Sequence, residues 1–208
     1  ELRGQVVFVG GAVAGLLITD PLADPVRATR DVDAVLEGNR ARFHRFEEAV
    51  AARGFARDVS CDVIWRWVHK KSGVIFDLMP IQPEVLGFSN RWYPYAAETA
   101  GTIDLGNGVT IKLMSAVAFV ATKLEAFASR GGGDFINSHD LEDVLNIIDG
   151  RGELGAELAV APVELRKAVG DAFARLVKNP DFANVLPGLI SEPERAGRIM
   201  ERLISLSQ

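Results

Sequence analysis

VVFVGGAVAGLLITDPLADPVRATRDVDAVLE, residues 6–37, decides how this chain folds. A β-branched and aromatic run over residues 5–9, bounded by Gly4 and Gly10, predicts a buried strand. Gly10-Gly11 permits a tight turn into an apolar helix over residues 11–18 and leaves backbone N–H groups open to a phosphate. Asp20-Pro21 and Asp24-Pro25 mark a loop, because each proline disfavours helical backbone in the residue before it. Asp31–Leu36 predicts a second strand. Side chains two apart on a strand share a face, so Asp31 and Asp33 project together while Val32 and Ala34 point into the packing. In this order the glycines and the acids suggest a phosphate cradle beside a metal-binding strand.

Working outward, residues 39–53 have helical spacing, with Phe43, Phe46, Ala49 and Val50 on one face and Gly54 as the stop. The arginines at 40, 42, 45 and 53 then form a solvated face. Residues 62–69 alternate apolar and polar through Val63, Trp65 and Trp67. Lys70-Lys71-Ser72-Gly73 reads as a hairpin turn, and residues 74–79 return as a strand ended by Pro80. Asp77 falls inside that apolar strand, where an unpaired carboxylate is costly to bury. Residues 84–98 read as irregular, and residues 102–113 as a second hairpin about Gly106-Asn107-Gly108. From Ser115 the pattern turns helical. Helices are expected over 115–129, 139–149 (with Ser138 as N-cap), 162–178 and 192–206, broken at Arg130-Gly131-Gly132-Gly133, Asn179-Pro180 and Leu186-Pro187-Gly188. The expected fold class is α/β of the α+β kind: a mixed-sheet core over residues 1–110, then a helical half over 111–208.

Charge excludes some functions. Residues 1–110 carry 12 Lys and Arg against 14 Asp and Glu, and residues 111–208 carry 11 against 14. With no basic half or tail, gripping duplex nucleic acid is not the main task. Cys61 is the only cysteine, so no intrachain disulfide forms and the expected compartment is the reducing cytoplasm. No apolar run has the length of a membrane span, and residues 6–18 follow no basic segment of the signal-peptide kind. The glycine run is not G-x-G-x-x-G, there is no Walker lysine, and His44, His69 and His139 lack zinc spacing.

Asp31, Asp33 and Asp77 remain as one acidic set. Clustered carboxylates repel unless a cation intervenes, and hard Mg²⁺ suits oxygen ligands and substrate phosphates. Gly10 and Gly11, then Arg27-x-Thr29-x-Asp31-x-Asp33, then Asp77 in a later hairpin, resemble the minimal nucleotidyltransferases of the DNA polymerase β superfamily. Lys123-Leu124-Glu125-Ala126, Arg130 and His139-Asp140-Leu141-Glu142-Asp143-Val144 are similar to the downstream pattern of AbiEii-type nucleotidyltransferase-like toxins. The likeness covers roughly residues 5–150.

The resemblance implies a polymerase β-type core with Asp31 and Asp33 as metal ligands and Asp77 as third carboxylate and candidate base. It implies that Gly10, Gly11, Thr29 and Lys123 contact the nucleotide and that Asp140 helps complete the site, with Asp134 as the substitute for it. Relatives often carry a hydroxyl residue after the first glycine, where this chain has Gly11 and Ala12. The implied activity moves an NMP from an NTP to a hydroxyl of RNA, tRNA or protein, with Mg²⁺ or Mn²⁺, as the toxin half of a toxin–antitoxin or phage-defence pair. Its implied partners are a nucleotide, that acceptor and an antitoxin protein, with no membrane. Two other readings stand beside it: a non-catalytic nucleotide- or protein-binding module that keeps the fold, and an interaction protein whose acids only form salt bridges.

Overall fold

In the computed structural model, which describes residues 2–23, 25–87, 89–130 and 133–208, the chain divides into two compact units. One comprises Glu1–Val13 and Arg27–Ser115, the other Ala14–Val26 and Ala116–Gln208. The chain is mixed α/β, and its sheet mixes parallel and antiparallel pairs. No helix among the described residues is long and apolar enough to cross a membrane.

The sheet unit begins with a 3-10 turn at Leu2–Gln5 and strand β1 (Val7–Val9). The helix expected over 11–18 is shorter than its apolar pattern suggests. A 3-10 turn at Gly11–Val13 passes to a single α-turn, α1 (Ala14–Leu17), which belongs to the other unit. Strand β2 (Asp31–Leu36) is as expected. Helix α2 (Arg40–Ala51) is capped by the Asn39 side chain, which accepts from the Arg42 N–H. Its Phe43, Phe46 and Val50 are buried, and Gly54 follows at φ 90°.

A short strand that the sequence did not signal, β3 (Phe55–Arg57), precedes β4 (Arg66–His69). The expected strand over 62–69 starts late because a turn occupies its first residues, with the Arg66 N–H donating to the Val63 carbonyl at 3.2 Å. Just before it, the Asp58 carboxylate accepts from the Ser60 N–H and hydroxyl. Strand β5 (Ile75–Pro80) follows. Residues 84–98 are less irregular than expected. They carry two short helices, α3 (Pro83–Leu86) and α4 (Tyr93–Glu98), each with a proline in its first turn, where a missing N–H costs nothing. The hairpin of β6 (Gly101–Asp104) and β7 (Thr110–Leu113) turns through Asn107 at φ 52°. Because β7 is a strand of the sheet, this unit runs to Ser115 rather than stopping at residue 110.

The strand order is β3-β4-β5-β2-β1-β7-β6, with β2 parallel to β5, β1 parallel to β7, and the other pairs antiparallel. Ala34, Leu36, Leu78 and Trp67 pack with Phe43, Phe46 and Val50 of α2 in one core. The alternation of strand side chains therefore sends Asp31, Asp33 and Asp77 to the opposite face.

The second unit is helical: α5 (Ala116–Arg130), α6 (His139–Gly150), α7 (Leu154–Ala159), α8 (Val163–Lys178), α9 (Pro180–Val185) and α10 (Ala196–Leu206). Ser138 caps α6 by accepting from the Leu141 N–H, and Asn179 caps α9. Phe119, Leu145, Ile148, Leu165, Phe173 and Leu203 are fully buried within it. The end of α6 is tied down by arginine, with Arg202 donating to the carbonyls of Ile148 and Asp149, where the helix dipole favours cations. Asp24, Gly131 and Gly132, which carry part of two expected breaks, lie outside the described residues.

Leu78 is fully buried between the sheet and α2. Leu78→Ala is expected to cost about 2–5 kcal/mol of unfolding free energy, read from urea melts. A cost under about 1 kcal/mol would mean that the core is not where the alternation puts it.

Candidate active site

Register assembles the acidic face. Val9 of β1 lies opposite Asp33 of β2, Asp33 lies beside Asp77 of β5, and Asp77 lies opposite Arg66 of β4. Directly paired residues on neighbouring strands point to the same side, so these four form one row across four adjacent strands. Asp31, two residues before Asp33, joins them on that face.

Arg66 is the residue that sequence reasoning missed. Its Nε donates to Asp77 Oδ1 at 2.9 Å and its Nη2 to Asp77 Oδ2 at 2.6 Å, a bidentate fork. The same Nη2 lies 3.4 Å from Asp31 Oδ2. The Asp77 side chain is only 6% exposed, while those of Arg66 and Asp31 are 24% and 38% exposed. The fork with Asp77 raises the Arg66 pKa well above its ordinary range; burial opposes the rise, and the charges of Asp77 and Asp31 add to it. A signal for this pair was present: the fourth residue before the 70–73 turn is Arg66 and the fourth after it is Asp77, the observed partners.

Gly10 sits at the end of β1 with φ 72°, a conformation that side chains other than glycine rarely adopt. A Cβ built there would run into the Asp33 carboxylate, 2.6 Å from its Cγ. The structure therefore gives Gly10 a specific duty, keeping room for Asp33. Gly11 is buried in the 3-10 turn, and Val13 N–H donates to the Gly10 carbonyl. With only one α-turn behind it, this segment offers little of the helix dipole that a phosphate cradle draws on. Thr29 donates its hydroxyl to the Asp31 carbonyl at 3.1 Å, which fixes the chain as it enters β2.

Lys123, Asp140 and Asp134 lie in the helical unit. The Lys123 ammonium is 2.7 Å from Asp143 Oδ2 and 3.0 Å from Asp140 Oδ1, and Arg130 reaches Asp140 at 3.1 Å. Lys123 and Asp143 side chains are 11% and 1% exposed, so this is an internal ion network joining α5 to α6 rather than a surface lysine. Burial pulls the Lys123 ammonium down, but Asp143 and Asp140 outweigh it and hold it above its ordinary value. Burial pushes the Asp140 carboxyl up, and the Lys123 and Arg130 charges outweigh that and hold it below. Asp134 is an exposed turn residue that accepts from the N–H groups of Ile136 and Asn137.

Among the described residues, no three His, Cys, Asp or Glu side chains are disposed to share one metal ion. On the acidic face both oxygens of Asp77 are bonded to Arg66. Asp31 and Asp33 are half-buried, all-oxygen donors on one face. That set still fits Mg²⁺, which commonly takes one or two carboxylates and completes its shell with water and substrate phosphate. No protein-family model matches the chain, and no curated protein matches it.

Gly10→Ala is expected to destabilise by about 1–3 kcal/mol in urea melts. Combining it with Asp33→Ala should return part of that cost, since the carboxylate is removed while the backbone strain stays. Full additivity of the two changes would show that Gly10 and Asp33 do not meet. Lys123→Met strips a cation from two buried carboxylates and is expected to cost about 3–5 kcal/mol. Asp140 titrates below its unfolded value, so its contribution is present above about pH 4 and lost as pH falls through the folded pKa. Asp140→Asn should therefore flatten the loss of stability between about pH 5 and pH 2, measured by urea unfolding across that range.

Proposed function

We propose that the chain is a metal-dependent nucleotidyltransferase with a polymerase β-type core, moving an NMP from an NTP to a hydroxyl of RNA, tRNA or protein. The observation that supports it most is the register-aligned face bearing Asp31, Asp33 and Asp77, with Gly10 holding space over Asp33. The family resemblance of residues 27–33 and 123–144 supports the narrower reading, a cytoplasmic toxin-like enzyme paired with an antitoxin protein.

Asp31 and Asp33 would hold Mg²⁺ or Mn²⁺. That ion would supply charge that neutralises the phosphate oxygens during displacement. The chain's own residues do the rest. Gly10 leaves room for the Asp33 carboxylate, which a side chain at residue 10 would displace. Asp77, held on the face by Arg66, accepts the proton of the acceptor hydroxyl on an oxygen lone pair that the fork leaves open. The acceptor oxygen forms a bond to the α-phosphorus of the NTP. The bond from that phosphorus to the pyrophosphate oxygen breaks, and pyrophosphate leaves with the electron pair.

One observation favours a second reading, a non-catalytic nucleotide- or protein-binding module: Asp77 is already neutralised by Arg66. Incubation with labelled NTPs, Mg²⁺ or Mn²⁺, and total tRNA or total protein separates the two. Transfer of label that falls on the order of 10²-fold or more in Asp31→Ala and Asp33→Ala is the expected result. Absence of transfer, together with nucleotide binding insensitive to Asp31→Ala, would replace the enzyme reading with the binding module.

A further inference from the structure

We propose that Arg66 is a built-in counter-ion of the acidic face, which positions Asp77 and competes with a divalent cation for Asp31. The inference rests on the reading of Asp31 and Asp33 as the cation-binding pair. It is carried by one shared atom: the Arg66 Nη2 that closes the fork on Asp77 at 2.6 Å also lies 3.4 Å from Asp31 Oδ2.

The two contacts are unequal, and the inequality defines the device. The Asp77 fork is short, planar and sheltered, and the β4–β5 register fixes both partners side by side. The Asp31 contact is longer, made by a single nitrogen, and on a carboxylate with more than a third of its side chain exposed. A cation that drew on Asp31 would break the weaker contact and leave the stronger one intact. Arg66 therefore exacts an electrostatic cost from any cation on Asp31, because like charges at a few ångströms repel in a partly buried site. In return it keeps Asp31 and Asp77 from repelling one another when no cation is bound. Asp77 stays oriented on the face in both conditions. Arg66 is thus a positioning residue, acting on the site through two carboxylates and touching no substrate.

The test is a Mn²⁺ titration, with free Mn²⁺ read by electron paramagnetic resonance, on the whole chain in wild type, Arg66→Lys, Arg66→Met, Asp77→Asn and the double variant Arg66→Met with Asp77→Asn. Removing the guanidinium is expected to tighten Mn²⁺ binding roughly tenfold in Arg66→Met, with Arg66→Lys close to wild type. Arg66→Met leaves Asp77 buried without its partner and risks unfolding. The double variant removes both charges and is compared with Asp77→Asn alone, where the same tightening is expected. A purely structural role would lower stability and leave affinity unmoved. Affinity that is unchanged or weaker in the double variant than in Asp77→Asn, or no Mn²⁺ binding by any of the proteins, overturns the proposal. Tightening without nucleotidyl transfer by the wild type keeps the competition and removes the enzyme reading. Transfer with unmoved affinity removes the competition alone.

Discussion

A carboxylate inside a central strand needs a cation, and that requirement organises the sheet unit. Asp77 lies in β5, between β4 and β2, and the strand is buried from Asp77 to its end. Alone, its charge would cost several kilocalories per mole to hold there. Arg66 meets it from β4 with a planar fork that no lysine reproduces. The pair also guards register. Arg66 points to the polar face and its neighbour Trp67 to the core against α2. A slip of one residue between β4 and β5 would drive a guanidinium into apolar packing and lift an indole onto the charged face. The ion pair and the tryptophan thus pin the same alignment from opposite sides, and the row Val9–Asp33–Asp77–Arg66 follows from it.

The helical unit uses related chemistry to a different end. Lys123 lies among Asp140, Asp143 and the face of Phe119, so its charge is satisfied inside the unit. Buried networks of this kind add little net stability over apolar packing, yet removing a single member is expensive. That asymmetry makes the Lys123–Asp140–Asp143 set a specifier of how α5 meets α6. The resemblance assigns Lys123 to a nucleotide phosphate. Such a contact would require the ammonium to exchange a carboxylate for a phosphate oxygen, one anionic partner for another.

Much of this was legible in the sequence, and the rest was not for identifiable reasons. β2, α2, the 70–73 turn, the β6–β7 hairpin, and α6 with its Ser138 cap follow from alternation, helical period and cap chemistry, all of which act within a few residues. The apolar run after Gly11 promised a longer helix than the single turn of α1, because apolar composition marks burial without fixing backbone conformation. β3 has three residues and no period to read. The late start of β4 follows from the turn closed between the Val63 carbonyl and the Arg66 N–H, local backbone pairing that strand alternation does not reveal. The partner of Asp77 needed pairing logic rather than propensity, since the alternation about Trp65 and Trp67 makes Arg66 look like a solvent-facing residue. Its duty appears only when the hairpin is folded about its turn.

Burial along β2 gives the acidic face a direction. The first three residues, Asp31 to Asp33, are half-buried and the last three are fully buried. Because β1 runs antiparallel, its end meets the start of β2, which brings Gly10 to the open end of the face. Any side chain at residue 10 would run into the Asp33 carboxylate, so the left-handed glycine and the half-buried acids belong to one arrangement. The third carboxylate, Asp77, is held in place on this face by the Arg66 fork. Without that fork, Asp77 and Asp31 would share a partly buried face with no guanidinium between them. The polar face accordingly has one tight, sheltered pair, Arg66 with Asp77, and one longer contact from the same guanidinium to the more exposed Asp31.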